Sequence, residues 1–229
     1  MSMTTRPRVS ALAGLCALAL AVGLAGCGNP PQTVERSAAP ATTTPGAAAP
    51  ARPMGPNITI ADYVDENNII ETPVKPGDTD SPKFDFPIPP DWQMAGTRKP
   101  EWAYGAIVYG KPADPADPPF ITAIVSKLTG DVDAAKVLQY APGMLQNLPG
   151  YTQDGDVQKS TLSGFEAIQF QGSYLAGDIR RYIAQKTVVI PAAGGGVFVL
   201  QLNADAPVGQ DQVIRDAAKV INEKTVITV

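Results

Sequence analysis

Paired carboxylates are the first residues that could do chemistry in this 229-residue chain. The close pairs are Asp114 with Asp117, Asp131 with Asp133, and Asp154 with Asp156. Such a pair can supply the acid and base of a glycosidase, or oxygen ligands for Ca²⁺. None of the pairs has the spacing of a calcium-binding loop, and each lies where aspartate favours a turn or a helix cap. We therefore expect structural roles for them, with a carboxylate-based hydrolase as the alternative.

Other catalytic groups are scarce. The sequence has no histidine and two cysteines, Cys16 and Cys27. Without histidine, neither a Ser-His-Asp triad nor most zinc sites can form. Ser163 and Ser173 lack the G-x-S-x-G elbow, and the glycines at 194–196 lead into a strand rather than a helix. The sequence therefore predicts a protein that is not an enzyme and that uses no metal or other cofactor.

Aromatic side chains offer a binding site instead. Trp92 and Trp102 lie in a predicted loop that also contains Arg98 and Lys99, and Tyr104 begins the strand predicted directly after it. A flat apolar ring with one polar atom suits a sugar ring or a ligand with an acyl tail. These three residues are therefore our candidate ligand-binding residues, and core packing is the alternative. A hydrophobic cavity beside the segment would favour ligand binding, whereas a solid core with flat aromatic patches would favour protein docking.

The N-terminus predicts export. Arg6 and Arg8 precede an uncharged segment from Val9 to Leu24, which is the pattern of a secretory signal peptide and is short for a membrane span of about 20 residues. The sequence Leu24-Ala25-Gly26-Cys27 resembles the lipobox of bacterial lipoproteins. That resemblance implies removal of residues 1–26, diacylglycerol on the Cys27 sulfur, and anchoring to the outer face of the cell membrane. An uncleaved anchor helix or ordinary secretion are the alternatives.

Residues 27–56 form the predicted tether after the lipidated cysteine. The segment is rich in proline, alanine and threonine and has almost no large apolar side chain. It cannot bury enough surface to offset the entropy of ordering, so we expect a disordered or polyproline-like chain. At about 3.1 Å per residue, such a chain reaches several tens of ångströms. Thr42, Thr43 and Thr44 are possible sites of O-glycosylation, although a plain spacer explains them as well.

Charge limits the partners of the mature protein. Removal of Arg6 and Arg8 with the signal peptide leaves 22 acidic and 16 basic residues, a net charge of −6. A mildly acidic chain without a basic cluster is a poor nucleic-acid binder, so we expect no nucleic-acid partner. Attraction to anionic lipid is weak for the same reason. The acyl chains must therefore provide the membrane contact.

Residues 57–229 are long enough for one globular domain with its own core. Thr59 caps a short predicted helix that runs to about Asn67, Asp133 caps a second, and an amphipathic pattern predicts a third over 210–223. Residues 71–82 and 111–119 are predicted loops. Alternating apolar residues predict strands at 84–86, 104–109, 121–128, 155–162, 165–174, 178–190, 197–204 and 226–229. Mostly sequential antiparallel strands with few helices predict an α+β sandwich.

Segments spread over this domain resemble the mycobacterial LpqN/LpqT lipoprotein family. They are residues 57–64, 70–74, 112–119, 126–131, 136–139, 147–150, 185–191 and 197–206. The resemblance implies a Mog1/PsbP-like α/β/α sandwich with a mostly antiparallel sheet and helices on its faces. None of these segments is a catalytic motif.

The same resemblance implies a function. Members are non-enzymatic envelope lipoproteins associated with mycolic-acid and trehalose-glycolipid traffic. The implied partners are an envelope lipid transporter and secreted mycolyltransferases, and the implied ligand is a trehalose-type glycolipid. Because no family motif maps binding residues onto this chain, Trp92, Trp102 and Tyr104 remain our own candidates. The alternative functions are a hydrolase of envelope glycans or lipids and a secreted interaction factor that acts on host proteins.

The lipobox can be tested by a Cys27→Ala change. The variant lacks the sulfur that accepts diacylglycerol, so it should incorporate no labelled palmitate and should be shed or stay uncleaved. Metabolic labelling and detergent phase partitioning measure this. Unchanged labelling and partitioning would rule out the lipobox.

Overall fold

The computed structural model describes residues 55–229. The predicted signal peptide, Cys27 and most of the predicted tether, up to residue 54, lie outside the described residues. Within residues 55–229, no helix has the length and apolar character needed to span a bilayer. The described chain is a mixed α+β structure with a large antiparallel sheet and few helices, as the sequence predicts.

The described residues contain four α-helices and eleven strands. The helices are α1 (Ile60–Glu66), α2 (Ala134–Tyr140), α3 (Gly143–Gln146) and α4 (Asp211–Lys224), with a 3-10 turn at Gly96–Arg98. The first six strands are β1 (Ile70–Pro73), β2 (Lys83–Asp85), β3 (Trp92–Met94), β4 (Gly105–Tyr109), β5 (Phe120–Thr129) and β6 (Thr152–Gln153). The remaining strands are β7 (Gln158–Leu162), β8 (Phe165–Ala176), β9 (Ile179–Pro191), β10 (Val197–Pro207) and β11 (Val226–Thr228).

Nine of these strands form one sheet in the described part of the chain. Its order is β3-β4-β5-β10-β9-β8-β6, while β1 pairs with β5 and β7 pairs with β8. All of these pairs are antiparallel. The central strand β10 pairs along its length with both β5 and β9, so it lies at the middle of the core. Strands β2 and β11 form a separate antiparallel pair.

Helices cover both faces of the large sheet. Because side chains alternate along a strand, β10 sends Val197 and Val199 to one face and Leu200 and Ala204 to the other. The first two pack in a cluster with side chains of α1 and α2. Ala204 packs with α4, and Leu200 packs in the cluster that includes the β2–β11 pair. The layers are therefore those of an α/β/α sandwich, as expected.

Short polar side chains fix the helix starts. Thr59 Oγ1 accepts from the Asp62 amide, and Asp62 Oδ2 accepts from the Thr59 amide at 2.8 Å, which completes a capping box. Asp133 Oδ1 accepts from the Ala135 amide at 2.8 Å and so caps α2. The Asp133 amide in turn donates to the Tyr63 hydroxyl oxygen at 2.8 Å, which ties α1 to α2.

Three short strands, β1, β3 and β6, were not predicted from the sequence. Residues 71–73 lie at the start of the predicted loop but belong to β1, all of whose residues are exposed. Because β1 has no buried side chain, its sequence does not alternate between apolar and polar residues. It pairs with β5, which lies far away in the sequence. Trp92 was predicted in a loop but begins β3.

A glycine at the start of β10 can be tested against its neighbour. Gly194 and Gly196 both have positive φ, of 85° and 77°. A Cβ on Gly196 would overlap the carbonyl oxygen of Leu128, whereas a Cβ on Gly194 meets nothing within 4 Å. Gly194→Ala should cost about 1–2 kcal/mol of unfolding free energy through backbone strain alone. Gly196→Ala should cost at least about 2 kcal/mol more, because β10 must move from β5. Urea unfolding measures both, and equal losses would contradict the close approach.

Candidate functional site

Two neighbouring cavities lie between the large sheet and the elements that cover one of its faces. The first, which we call the polar cleft, has a volume of about 560 Å³ and lies between α4 and strands β8 and β9. Its polar side chains come from three places: the loop before β7, the sheet itself, and the exposed side of α4. They are Asp154, Asp156, Gln158, Gln169, Gln171, Tyr182, Lys186, Arg215, Lys219, Asn222 and Glu223.

Small residues in the sheet create the polar cleft. Ala184 of β9 lies opposite Ala204 of β10 and Gln171 of β8, so two methyl groups occupy the floor where larger side chains would fill the space. Helix α4 rests on this floor through the buried residues Ile214 and Ala217. The helix therefore stays close to β10 and leaves an open volume towards β8.

The second cavity, which we call the apolar cavity, has a volume of about 300 Å³. Phe84, Phe86 and Tyr104 line it and form an aromatic group. The Phe84 and Phe86 rings stack with centroids 5.5 Å apart, and Tyr104 meets Phe84 edge to face at 5.3 Å. Ile88 and Met94 also line the cavity and are 46% and 63% exposed, so an apolar rim faces solvent.

The two cavities border the same side chains. Ile121, Leu202 and Ile221 line both the polar cleft and the apolar cavity. Ile221 lies on α4, and the other two residues lie on the facing strands. A polar site therefore lies directly beside an apolar one, with three apolar side chains between them.

Hydrogen bonds hold the sheet side of the polar cleft. The Tyr182 hydroxyl donates to Gln171 Oε1 at 2.8 Å, and Gln171 Nε2 donates to Asp154 Oδ2 at 2.8 Å. Burial raises the pKa of Tyr182, so its hydroxyl keeps its proton at neutral pH and can donate a hydrogen bond. The Arg215 guanidinium lies 5.8 Å from the centre of the Tyr182 ring and pairs with Asp211. These contacts orient the polar groups of the floor.

Lys186 is the most buried charged residue of the cleft. It is 8% exposed, and its Nζ donates to the Thr161 carbonyl oxygen at 3.2 Å. Burial lowers the pKa of its ammonium. Within residues 55–229, the ammonium forms no ion pair with a carboxylate.

The three predicted ligand-binding residues lie in different surroundings. Tyr104 lines the apolar cavity, where burial raises its pKa. Trp102 is 40% exposed and lies just before β4. Trp92 is 7% exposed and packs in the core with its ring centroid 5.6 Å from that of Tyr109. Core packing, the alternative considered for these aromatics, describes Trp92, and we do not include it in the proposed site.

The predicted acidic pairs contain carboxylates with structural partners. Asp114 Oδ1 accepts from the Ala116 amide at 2.8 Å, and Asp133 caps α2. Asp117 pairs with Arg181 at 2.5 Å, which attaches the proline-rich loop before β5 to the sheet. Among the described residues, no three histidine, cysteine or acidic side chains come close enough to hold a metal ion.

Arg181 joins two carboxylates and a tyrosine. Its Nε donates to Asp205 Oδ1 at 2.6 Å, and the Tyr174 hydroxyl donates to Asp205 Oδ2 at 2.8 Å. Burial acts to lower the pKa of Arg181, but its bonds to Asp117 and Asp205 raise it overall. Burial, followed by the bond to Asp205, raises the pKa of Tyr174 to about 12.

The sequence analysis missed the polar cleft. One signal was present in β9, where Tyr182, Ala184, Lys186 and Val188 share a face. A lysine in register with residues that face the core is unusual, because its charge must be buried. The walls from α4 and from the loop before β7 gave no such signal, since they meet the floor only after folding.

Comparison with known proteins identifies related sequences. The family model described as probable lipoprotein LpqN matches residues 56–228. The lipoprotein LpqN of Mycobacterium tuberculosis is 57% identical over 176 residues, which cover 76% of this chain and 75% of that protein. A crystal structure of the M. tuberculosis LpqN, described as involved in cell envelope biogenesis, matches with a TM-score of 0.73 and 56% identity. It covers 76% of this chain and all of the solved chain.

The Arg181 network can be tested by titration. Tyr174 should ionise near pH 12, and a tyrosine in the unfolded chain ionises near pH 10. Because the folded pKa is the higher one, the stability that Tyr174 contributes is complete below pH 10 and declines as the pH rises through 12. The absorbance titration curve of the Tyr174→Phe variant is subtracted from that of the wild type, and the difference should show one step near pH 12. A step near pH 10 would contradict the buried hydrogen bond.

Proposed function

The chain belongs to the probable lipoprotein LpqN family, and on this basis we propose that its domain binds an amphiphilic glycolipid of the trehalose type and presents it to other envelope proteins. Binding depends on shape and polarity, and no covalent bond is made or broken. The relatives are named as lipoproteins and not as enzymes. Asp114, Asp117 and Asp133 form a turn, an ion pair and a helix cap, so these carboxylates have structural contacts that require no catalytic role.

The contact between the two cavities supports this proposal more than any other observation. An amphiphile has a polar head joined to an apolar tail, and here a polar cleft adjoins an apolar cavity across Ile121, Leu202 and Ile221. We assign the sugar head to the cleft and the start of the acyl chain to the apolar cavity. Sugar hydroxyls both donate and accept hydrogen bonds, and the carboxamides of Gln169 and Gln171 can do the same.

The tail provides most of the binding free energy. Burial of each methylene contributes about 0.8 kcal/mol, so a chain seated against Phe84, Phe86 and Tyr104 gains several kcal/mol. The head contributes orientation, because its hydrogen bonds to protein replace hydrogen bonds to water. The exposed rim of Ile88 and Met94 covers a tail that leaves the cavity.

The anchor and the partners complete the proposal. Acylated Cys27 holds the protein at the outer face of the cell membrane, and the tether of residues 27–56 lets the domain reach lipids around it. The partners are an envelope lipid transporter and secreted mycolyltransferases, which supply and use the glycolipid. The relative whose crystal structure is known is described as involved in cell envelope biogenesis, which supports an envelope role.

A cavity-filling change tests the tail site. Gly105 lines the apolar cavity, its φ is not positive, and a Cβ added there meets nothing within 4 Å. Gly105 pairs with Ala123, which lines the same cavity, so a side chain at 105 would enter it. Gly105→Leu should lower the affinity for a decanoyl trehalose ester by at least about tenfold, because the tail loses its space. Ala135→Leu on the exposed side of α2 is the matched control and should bind normally.

Native mass spectrometry and calorimetry on residues 27–229 with Cys27→Ala measure the binding. No bound ester at near-millimolar concentration, or equal affinity in Gly105→Leu, would reject the proposal. Cleavage of the ester that disappears when Asp114 and Asp117 are both changed to Asn would support the hydrolase instead.

A further inference from the structure

Two buried donors in and beside the polar cleft have fewer acceptors than they have N–H or O–H groups. Lys186 is only 8% exposed. Its ammonium has three N–H groups, and one of them donates to the Thr161 carbonyl oxygen. The Ser160 hydroxyl, which precedes Thr161 on β7, is buried and has no hydrogen-bond partner among the described residues. Buried polar groups are normally paired, so each of these groups needs an explanation.

The strand register brings the two residues to one area. Lys186 of β9 lies opposite Gln169 of β8, and Gln169 lies opposite Gln158 of β7. Ser160 follows Gln158 by two residues and so shares its face of the sheet. The lysine side chain crosses β8 and reaches β7, where the Thr161 carbonyl oxygen accepts its hydrogen bond. Lys186 lines the cleft, whereas Ser160 does not and its hydroxyl is inaccessible, so only the lysine can meet a ligand there.

Residues 55–229 do not supply the missing acceptor. The Asp154 carboxylate accepts from Gln171, and no carboxylate of residues 55–229 pairs with the lysine ammonium. An unpaired buried charge costs several kcal/mol, and a lowered Lys186 pKa is the expected result of such burial. An oxygen anion brought by a ligand would accept from the remaining N–H groups of Lys186 and balance its charge.

We propose that Lys186 forms a recognition point for an anionic group, carboxylate or phosphate, on the sugar head of the bound amphiphile. This inference rests on the proposed function and narrows its ligand. The domain thus prefers glycolipids with an acidic head over neutral ones with the same tail. A charge-assisted hydrogen bond in a water-poor site is about twice as strong as a neutral one, which is the source of the preference.

The test compares two probes that differ in a single group. Decyl glucoside is neutral, and decyl glucuronide has the same tail and ring but bears a carboxylate. Calorimetry on residues 27–229 with Cys27→Ala should show about tenfold tighter binding of the glucuronide. Decyl phosphate and decanol form a second pair of probes, in which the anionic group is a phosphate. Decyl phosphate should bind more tightly than decanol.

Variants separate recognition from folding. Lys186→Gln should reduce the ratio between the two glycosides to about one, because the neutral amide lacks the charge that distinguishes them. Lys159→Gln removes the same charge from an exposed residue of β7 that does not line the cleft, and should leave the ratio within about twofold.

Each outcome separates the two proposals. Equal binding of both glycosides by the wild type would overturn this inference and leave the proposed function intact, and this comparison holds even if Lys186→Gln does not fold. Equal loss in Lys186→Gln and Lys159→Gln would show an effect of general charge and would also overturn this inference. Absence of binding by either glycoside and by the trehalose ester would reject the proposed function itself.

Discussion

The packing of α4 on the β9–β10 part of the sheet is the contact on which the site depends. Ile214, Ala217 and Ile221 are buried in a cluster with Ala204 and Ala206, so small residues of β10 receive larger residues of the helix. Close packing there leaves no room for a ligand directly below the helix. It leaves space on either side instead. Because Ile221 lines both cavities, the position of one helix determines the shape of each.

The two faces of the sheet have different tasks. On the face covered by α1, α2 and α3, large apolar residues such as Leu128, Val189 and Phe170 fill the interior and provide much of the core. On the other face, the β2–β11 pair and α4 cover separate areas, and the apolar cavity lies where they meet. A protein without a disulfide in its described residues needs one well-packed face if the other is to stay partly open. Buried polar groups such as Lys186 reduce stability, and this cost is consistent with a role in binding.

Local signals explain what could be predicted. Thr59 and Asp133 have hydrogen-bonding side chains at the correct distance from an apolar face, so α1 and α2 followed from a few neighbouring residues. Strands β8, β9 and β10 are long, alternate clearly and are joined by turns with positive-φ residues, so sequence order was enough to pair them. β1 was missed because its residues are exposed and pair with residues 53–59 positions later in the chain, which no local pattern can indicate.

The sequence by itself determined the α+β class, the helices and most strands, because these depend on spacing between near neighbours. It also determined the family, the predicted lipidation at Cys27 and the absence of histidine chemistry. Only the tertiary structure decided which aromatic faces a cavity: Tyr104 does, Trp92 is in the core, and Trp102 is at the surface. It alone placed Lys186 in the floor of the polar cleft. The physical reason is that a cavity is the space left between packed elements, and that space depends on residues far apart in the chain.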